Sequence, residues 1–148
     1  AALKRGRLRF GRGEAHARGV SIRVLMKRIK EGCAFFNMPD QDFGPKDADF
    51  VPFFGIQACT LLAPSRLARL MGMVVQPVVV TLLPGGQGWK VHFDDPLPDW
   101  PSEDAKADAA AMNAMIERMI LQQPAQYLWV HKRFKTRPRG EPDLYGSR

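Results

Sequence analysis

Residues 73–83, MVVQPVVVTLL, constrain this chain more than any other stretch. Valine and threonine branch at Cβ and suit a pleated surface. The run does not alternate apolar with polar, so it reads as a strand covered on both faces, the pattern of a parallel sheet flanked by helices. It is too short, and too interrupted by Gln76 and Pro77, to cross a bilayer, which takes about 20 apolar residues in a helix. The rest of the chain therefore has to supply the cover.

Helices are available. From Val20 to Glu31, Val20, Val24, Leu25 and Ile29 mark one apolar face, and Gly32 is a stop. Ala58–Met71 reads as a second helix, with Pro64 as a kink or restart. A third begins after Ser102, an N-cap followed by Glu103 and Asp104, where acidic groups favour the helix dipole. Met112, Met115, Ile116, Met119 and Ile120 then share a face, and Pro124 ends it. CAFFNM (33–38) and WKVHFD (89–94) read as strands and PGGQG (84–88) as a turn. PDQDFGPKDADFVPFFG (39–55) reads as a long loop, and the Arg- and Gly-rich residues 1–19 as another. The order implies an α/β fold with a largely parallel sheet flanked by helices. A chain of 148 residues, 45% of them hydrophobic, suits a single domain over 1–148, with a basic tail at 131–148.

Two carboxylates, Asp40 and Asp42, follow the predicted strand CAFFNM. Sites in open α/β sheets cluster beyond strand ends. The pair can be a turn, a metal-binding Asp-x-Asp as in nucleotide-sugar glycosyltransferases, or a carboxylate anchoring an arginine in an anion site. Arginines are abundant. Arg5, Arg7, Arg9 and Arg12 lie near the start; Lys132, Arg133, Lys135, Arg137 and Arg139 lie near the end. With 22 Lys+Arg against 15 Asp+Glu, the charge of +7 favours anionic partners. A basic nucleic-acid-binding module is one alternative, because Phe10, Trp129 and Phe134 interleave with the cations; no recognised motif accompanies them. Cys33 and Cys59 sit in apolar contexts and read as buried free thiols, with no zinc-ligand spacing. His16, His92 and His131 have no Asp placed to orient an imidazole, and no Gly-x-Ser-x-Gly is present.

Three segments, PDQDFGP, FVPFFGIQACT and QPAQYLWVHKRFKTRPRGEP, together resemble the late acyltransferases of lipid A biosynthesis, the lauroyl/myristoyl type. The likeness runs from about Arg7 to Tyr145, and QYLWVHKRFKTRP is its most specific piece. VVQPVVV is similar to the proline-containing strand of glycerolipid acyltransferases. The resemblance implies a glycerolipid-acyltransferase-like fold at the cytoplasmic face of a bacterial inner membrane. It implies transfer of a fatty acyl chain from acyl-carrier protein to a Kdo-bearing lipid A precursor, with no metal or organic cofactor and no nucleic-acid partner. The family's arginine of a Gly-Arg segment carries over to Arg7, with Arg9 as the alternative, and its first loop aspartate to Asp40. On this reading Lys132, Arg133, Lys135 and Arg137 face lipid phosphates or the acidic carrier protein. The family's His-x-x-x-x-Asp box, whose histidine is the general base, is absent from these 148 residues. In the family that box, and a membrane anchor, lie upstream of the Gly-Arg segment. The expectation is a C-terminal portion, incomplete at its N-terminus and inactive alone.

Overall fold

Phe54 and Gly55 have φ of 49° and 75° in the computed structural model, which describes residues 2–11, 13–16 and 21–146. Two left-handed residues in a row make the tight turn whose twist matches that of antiparallel strands. They join β1 (Ala48–Phe53) to β2 (Ile56–Leu61), paired from Phe53↔Ile56 to Ala48↔Leu61. Val51, Phe53, Ala58 and Thr60 share the buried face of this hairpin.

That face is covered by α4 (Ala105–Gln122). Asp104 caps the helix, accepting from the Lys106 and Ala107 amides. Met112, Ile116 and Ile120 pack with Phe53 and Ala58, while Ala109 packs with Val51 and Leu62. The helix also sends polar groups inward, each with a partner. Asp108 accepts from the Ser65 hydroxyl and, at 3.0 Å, from the Ser102 amide. Asn113 donates to the Pro52 carbonyl at 2.9 Å, and Glu117 accepts from the Phe54 amide at 2.8 Å. Buried polar groups matched in this way fix the helix register on the hairpin.

Ser65 lies on α3 (Ala63–Met71), which carries Pro64 in its first turn and ends at Gly72 with φ 59°. A second hairpin follows, β3 (Val78–Leu82) with β4 (Trp89–Phe93). The Gln126 side chain binds it at both the Leu82 amide and carbonyl. These elements belong to one compact unit, Asn37–Arg148. The other, Ala1–Phe36, holds α1 (Ala2–Leu8) and α2 (Ile22–Lys30). In it Arg28 bridges Glu14 and Glu31.

The α/β composition agrees with the sequence reading; the strand pairing differs. Both sheets among the described residues are two-stranded and antiparallel, where a largely parallel sheet was expected. The Phe54-Gly55 turn returns residues 56–61 as a strand, so the helix expected from Ala58 begins at Ala63. Residues 33–38 form no strand. The strand expected over 73–83 is confined to 78–82, after Pro77. Residues 2–8 are helical rather than loop, and Val20 and Arg12 lie outside the described residues.

Candidate functional site

Asp42 is 7% exposed and fully engaged. It accepts from the Gly44 amide at 2.8 Å, the Thr136 amide at 2.8 Å and the Thr136 hydroxyl at 3.0 Å. Amide donors stabilise a buried carboxylate that burial alone would penalise. The turn needs Gly44, whose φ is 89°. On its other side the Cys59 thiol donates to the Gly44 carbonyl at 3.3 Å. Burial first, and then the Asp42 charge, push the Cys59 thiol up, which keeps it protonated and a donor. Cys59 is thus the buried thiol the sequence suggested, whereas Cys33 is exposed.

Asp40 is half-buried, two residues earlier on the same loop. Its carboxylate lies close to the Tyr127 hydroxyl, which is buried and, among the described residues, completes no hydrogen bond of normal geometry. Burial, reinforced by the Asp40 charge, raises the Tyr127 hydroxyl above its ordinary value. The Tyr127 ring meets Trp129 edge-on, at 4.8 Å between centroids.

Arg133 lies within the electrostatic reach of both loop aspartates. It is 2% exposed, and burial lowers its pKa against the opposing influence of Tyr127, Asp42 and Asp40. It donates to the Cys59 carbonyl at 2.7 Å, the Thr60 hydroxyl at 2.7 Å and Asn113 Oδ1 at 3.3 Å. Arg137 donates to the Gln57 carbonyl at 2.6 Å and pairs with Glu141. Counting alternately from the turn, Gln57 and Cys59 point their carbonyls away from β1. Arg133 and Arg137 therefore cap the free edge of β2. Of the four cations expected to bind substrate, these two hold the fold. Lys132 and Lys135 are exposed, with Lys132 5.5 Å from the Tyr145 ring centroid.

Arg7 and Arg9 lie in the other unit, both exposed; Arg9 stacks 4.3 Å from the Phe10 centroid. The histidines require a correction, because two of them do have carboxylate neighbours. His92 Nε2 is 2.9 Å from Asp94 and His16 Nε2 is 3.2 Å from Glu14. Both are local pairs, two residues apart, at a spacing unlike that of the His-x-x-x-x-Asp box. Among the described residues no cluster of three His, Cys, Asp or Glu could hold a metal ion, and no helix is long and apolar enough to cross a membrane. Sequence reasoning also missed Tyr127, Thr136, Asn113 and Thr60. An asparagine on the apolar face of α4 is the one visible signal, since a buried amide demands partners.

The sequence model of a family described as bacterial lipid A biosynthesis acyltransferase matches residues 2–136, from α1 to the threonine that binds Asp42. The chain belongs to this family. It is 37% identical over 141 residues to the lipid A biosynthesis lauroyltransferase of Escherichia coli K12, covering 95% of this chain and 45% of that protein. It is 36% identical over 126 residues to the palmitoleoyltransferase of the same strain, covering 84% and 41%, and 35% identical over 144 residues to the myristoyltransferase, covering 94% and 43%. The chain thus spans less than half the length of these acyltransferases.

Proposed function

We propose that this chain is part of an acyltransferase that moves a fatty acyl chain from acyl-carrier protein to a Kdo-bearing lipid A precursor, at the cytoplasmic face of a bacterial inner membrane. Family membership over residues 2–136 supports acyl transfer in lipid A biosynthesis. The structural observation that carries the site is the division of labour between the two loop aspartates. Asp42 is consumed in holding the loop to the tail, which leaves Asp40 half-buried beside a buried hydroxyl.

In the proposed reaction an acceptor hydroxyl attacks the thioester carbonyl. A C–O bond forms, the C–S bond breaks, and the thiol leaves with the proton. A general base typically contributes about 10²–10⁴-fold to such a step. No His-x-x-x-x-Asp occurs in residues 1–148, so the base is proposed to lie in a section of the enzyme upstream. Asp40 orients a cation through a charge-assisted hydrogen bond, and a guanidinium stabilises the oxyanion or a lipid phosphate. Lys132 and Lys135 receive the phosphates of the acceptor or the acidic carrier protein. The chemistry as proposed uses no metal or organic cofactor.

The test joins residues 1–148 to the section of the E. coli lauroyltransferase that lies outside the alignment. The chimera, offered acyl-carrier-protein thioester and the lipid A precursor, should transfer acyl chains, and residues 1–148 alone should not. Transfer by the 148-residue chain alone, abolished on mutating His16, His92 or His131, would overturn the assignment of the base.

A further inference from the structure

Val78, Val80 and Leu82 on β3 stand opposite Phe93, Val91 and Trp89 on β4. Strand alternation puts all six on one face of the hairpin. None is buried: their exposures are 36%, 52%, 47%, 63%, 51% and 67% in that order. The other face carries Val79, Thr81, Lys90 and His92. A contiguous apolar face of this kind marks an interaction surface rather than ordinary solvent-facing residues.

The edges of the hairpin are open as well. Leu83 donates to Gly88 and Asp94 to Pro77 inside the ribbon, so residues 78, 80, 82, 89, 91 and 93 turn their backbone groups outward. Gln126 satisfies Leu82. The other five have no backbone partner on that side among the described residues. A two-stranded ribbon standing by itself is marginally stable in water.

We propose that this face and its open edges are the seam on which the remaining section of the acyltransferase fold packs, covering the six side chains and extending the sheet. The inference rests on the reading of the chain as part of a longer enzyme. Three observations commit it to that occupant. The relatives have more than half their length outside the aligned section. The run at 73–83 has the composition of a strand covered on both sides. The unpaired backbone groups need another strand or polar partner, which a hydrocarbon layer cannot supply.

Cysteine labelling tests this, in a Cys33→Ser background because Cys33 is exposed and Cys59 is buried. Val80→Cys should react quickly with a maleimide in residues 1–148 alone and at least about tenfold more slowly in the chimera with the lauroyltransferase section. Glu103→Cys, at a side chain 90% exposed, should react alike in both. A second variant reads the same seam by stability. Val80→Glu should make the isolated chain more monodisperse and lower the melting temperature of the chimera. Equal reactivity of Val80→Cys in both proteins, or a Val80→Glu chimera as stable as its parent, overturns the proposal. So does protection in the isolated chain that depends on its own concentration or on phosphatidylglycerol vesicles, which would assign the face to a second copy or to a bilayer. Acyl transfer measured on the same samples separates the two readings. A chimera that transfers while Val80→Cys stays reactive refutes the seam alone, and protection without transfer supports the seam and counts against the functional reading.

Discussion

Asp42 and Thr136 are 94 residues apart in sequence and joined twice, through the threonine amide at 2.8 Å and its hydroxyl at 3.0 Å. The contact closes the aspartate loop onto the basic tail. Removing the carboxylate leaves the Gly44 and Thr136 amides without their acceptor. Asp42→Ala should therefore destabilise the protein by about 3 kcal/mol in urea unfolding, whereas Asp40→Ala should cost less than about 1 kcal/mol. Equal stability of the two variants would remove the distinction between them.

Arg133 gives a second contrast. Its guanidinium fork reaches Cys59, Thr60 and Asn113 at once, a geometry an ammonium cannot reproduce. Arg133→Ala should cost about 3 kcal/mol, and Arg133→Lys should recover little of it. The neighbouring Lys132→Ala should stay within about 0.5 kcal/mol. A lysine at 133 that restored the wild-type melting temperature would contradict this role.

Tyr127 predicts a pH dependence. Its hydroxyl is raised in the folded state, by burial and then by Asp40, relative to an unfolded value of about 10. The neutral phenol is favoured in the fold, so this stabilisation is present in full below about pH 10 and is lost as pH rises through the folded value. Unfolding followed from pH 8 to 11 should show stability falling above about pH 10, with a shallower fall in Tyr127→Phe. Identical slopes for the two proteins would place Tyr127 outside the buried cluster.

The tail should bind anionic surfaces through its exposed lysines and not through Arg133 and Arg137, which are engaged on β2. Each exposed cation near an anionic bilayer contributes about 1 kcal/mol, and salt weakens it. Lys132→Gln with Lys135→Gln should reduce sedimentation with phosphatidylglycerol vesicles by about 30-fold at low salt. Wild-type binding that is equal on zwitterionic vesicles, or unchanged in the double variant, would contradict this.

How much of this was legible in the sequence depends on the interaction concerned. Helix α4 was legible because its apolar residues recur at helical spacing, although its cap is Asp104, two residues beyond the expected Ser102. The β1–β2 hairpin was not. Its turn places a phenylalanine at φ 49°, a position where Asn, Asp or Gly normally signals a turn, so FVPFFG read as loop. Tertiary packing of Phe53 under α4, and the Glu117 carboxylate on the Phe54 amide, hold that turn against local preference. In the site, Asp40 and Asp42 stood out as a charged pair, yet nothing local told which would be consumed by a threonine 94 residues away. The basic run was visible, but its division into one buried, one half-buried and three exposed cations follows from where β2 leaves carbonyls unpaired.

The most direct test of the account is acyl transfer by the chimera with Asp40 replaced. With acyl-carrier-protein thioester and a Kdo-bearing lipid A precursor, the parent should transfer well above the no-enzyme background. Asp40→Asn should lower that rate by about 10–100-fold, the loss of one charge-assisted hydrogen bond of about 1.5–3 kcal/mol, with the melting temperature unchanged. An Asp40→Asn enzyme as fast as its parent would contradict the central claim that this carboxylate serves the reaction.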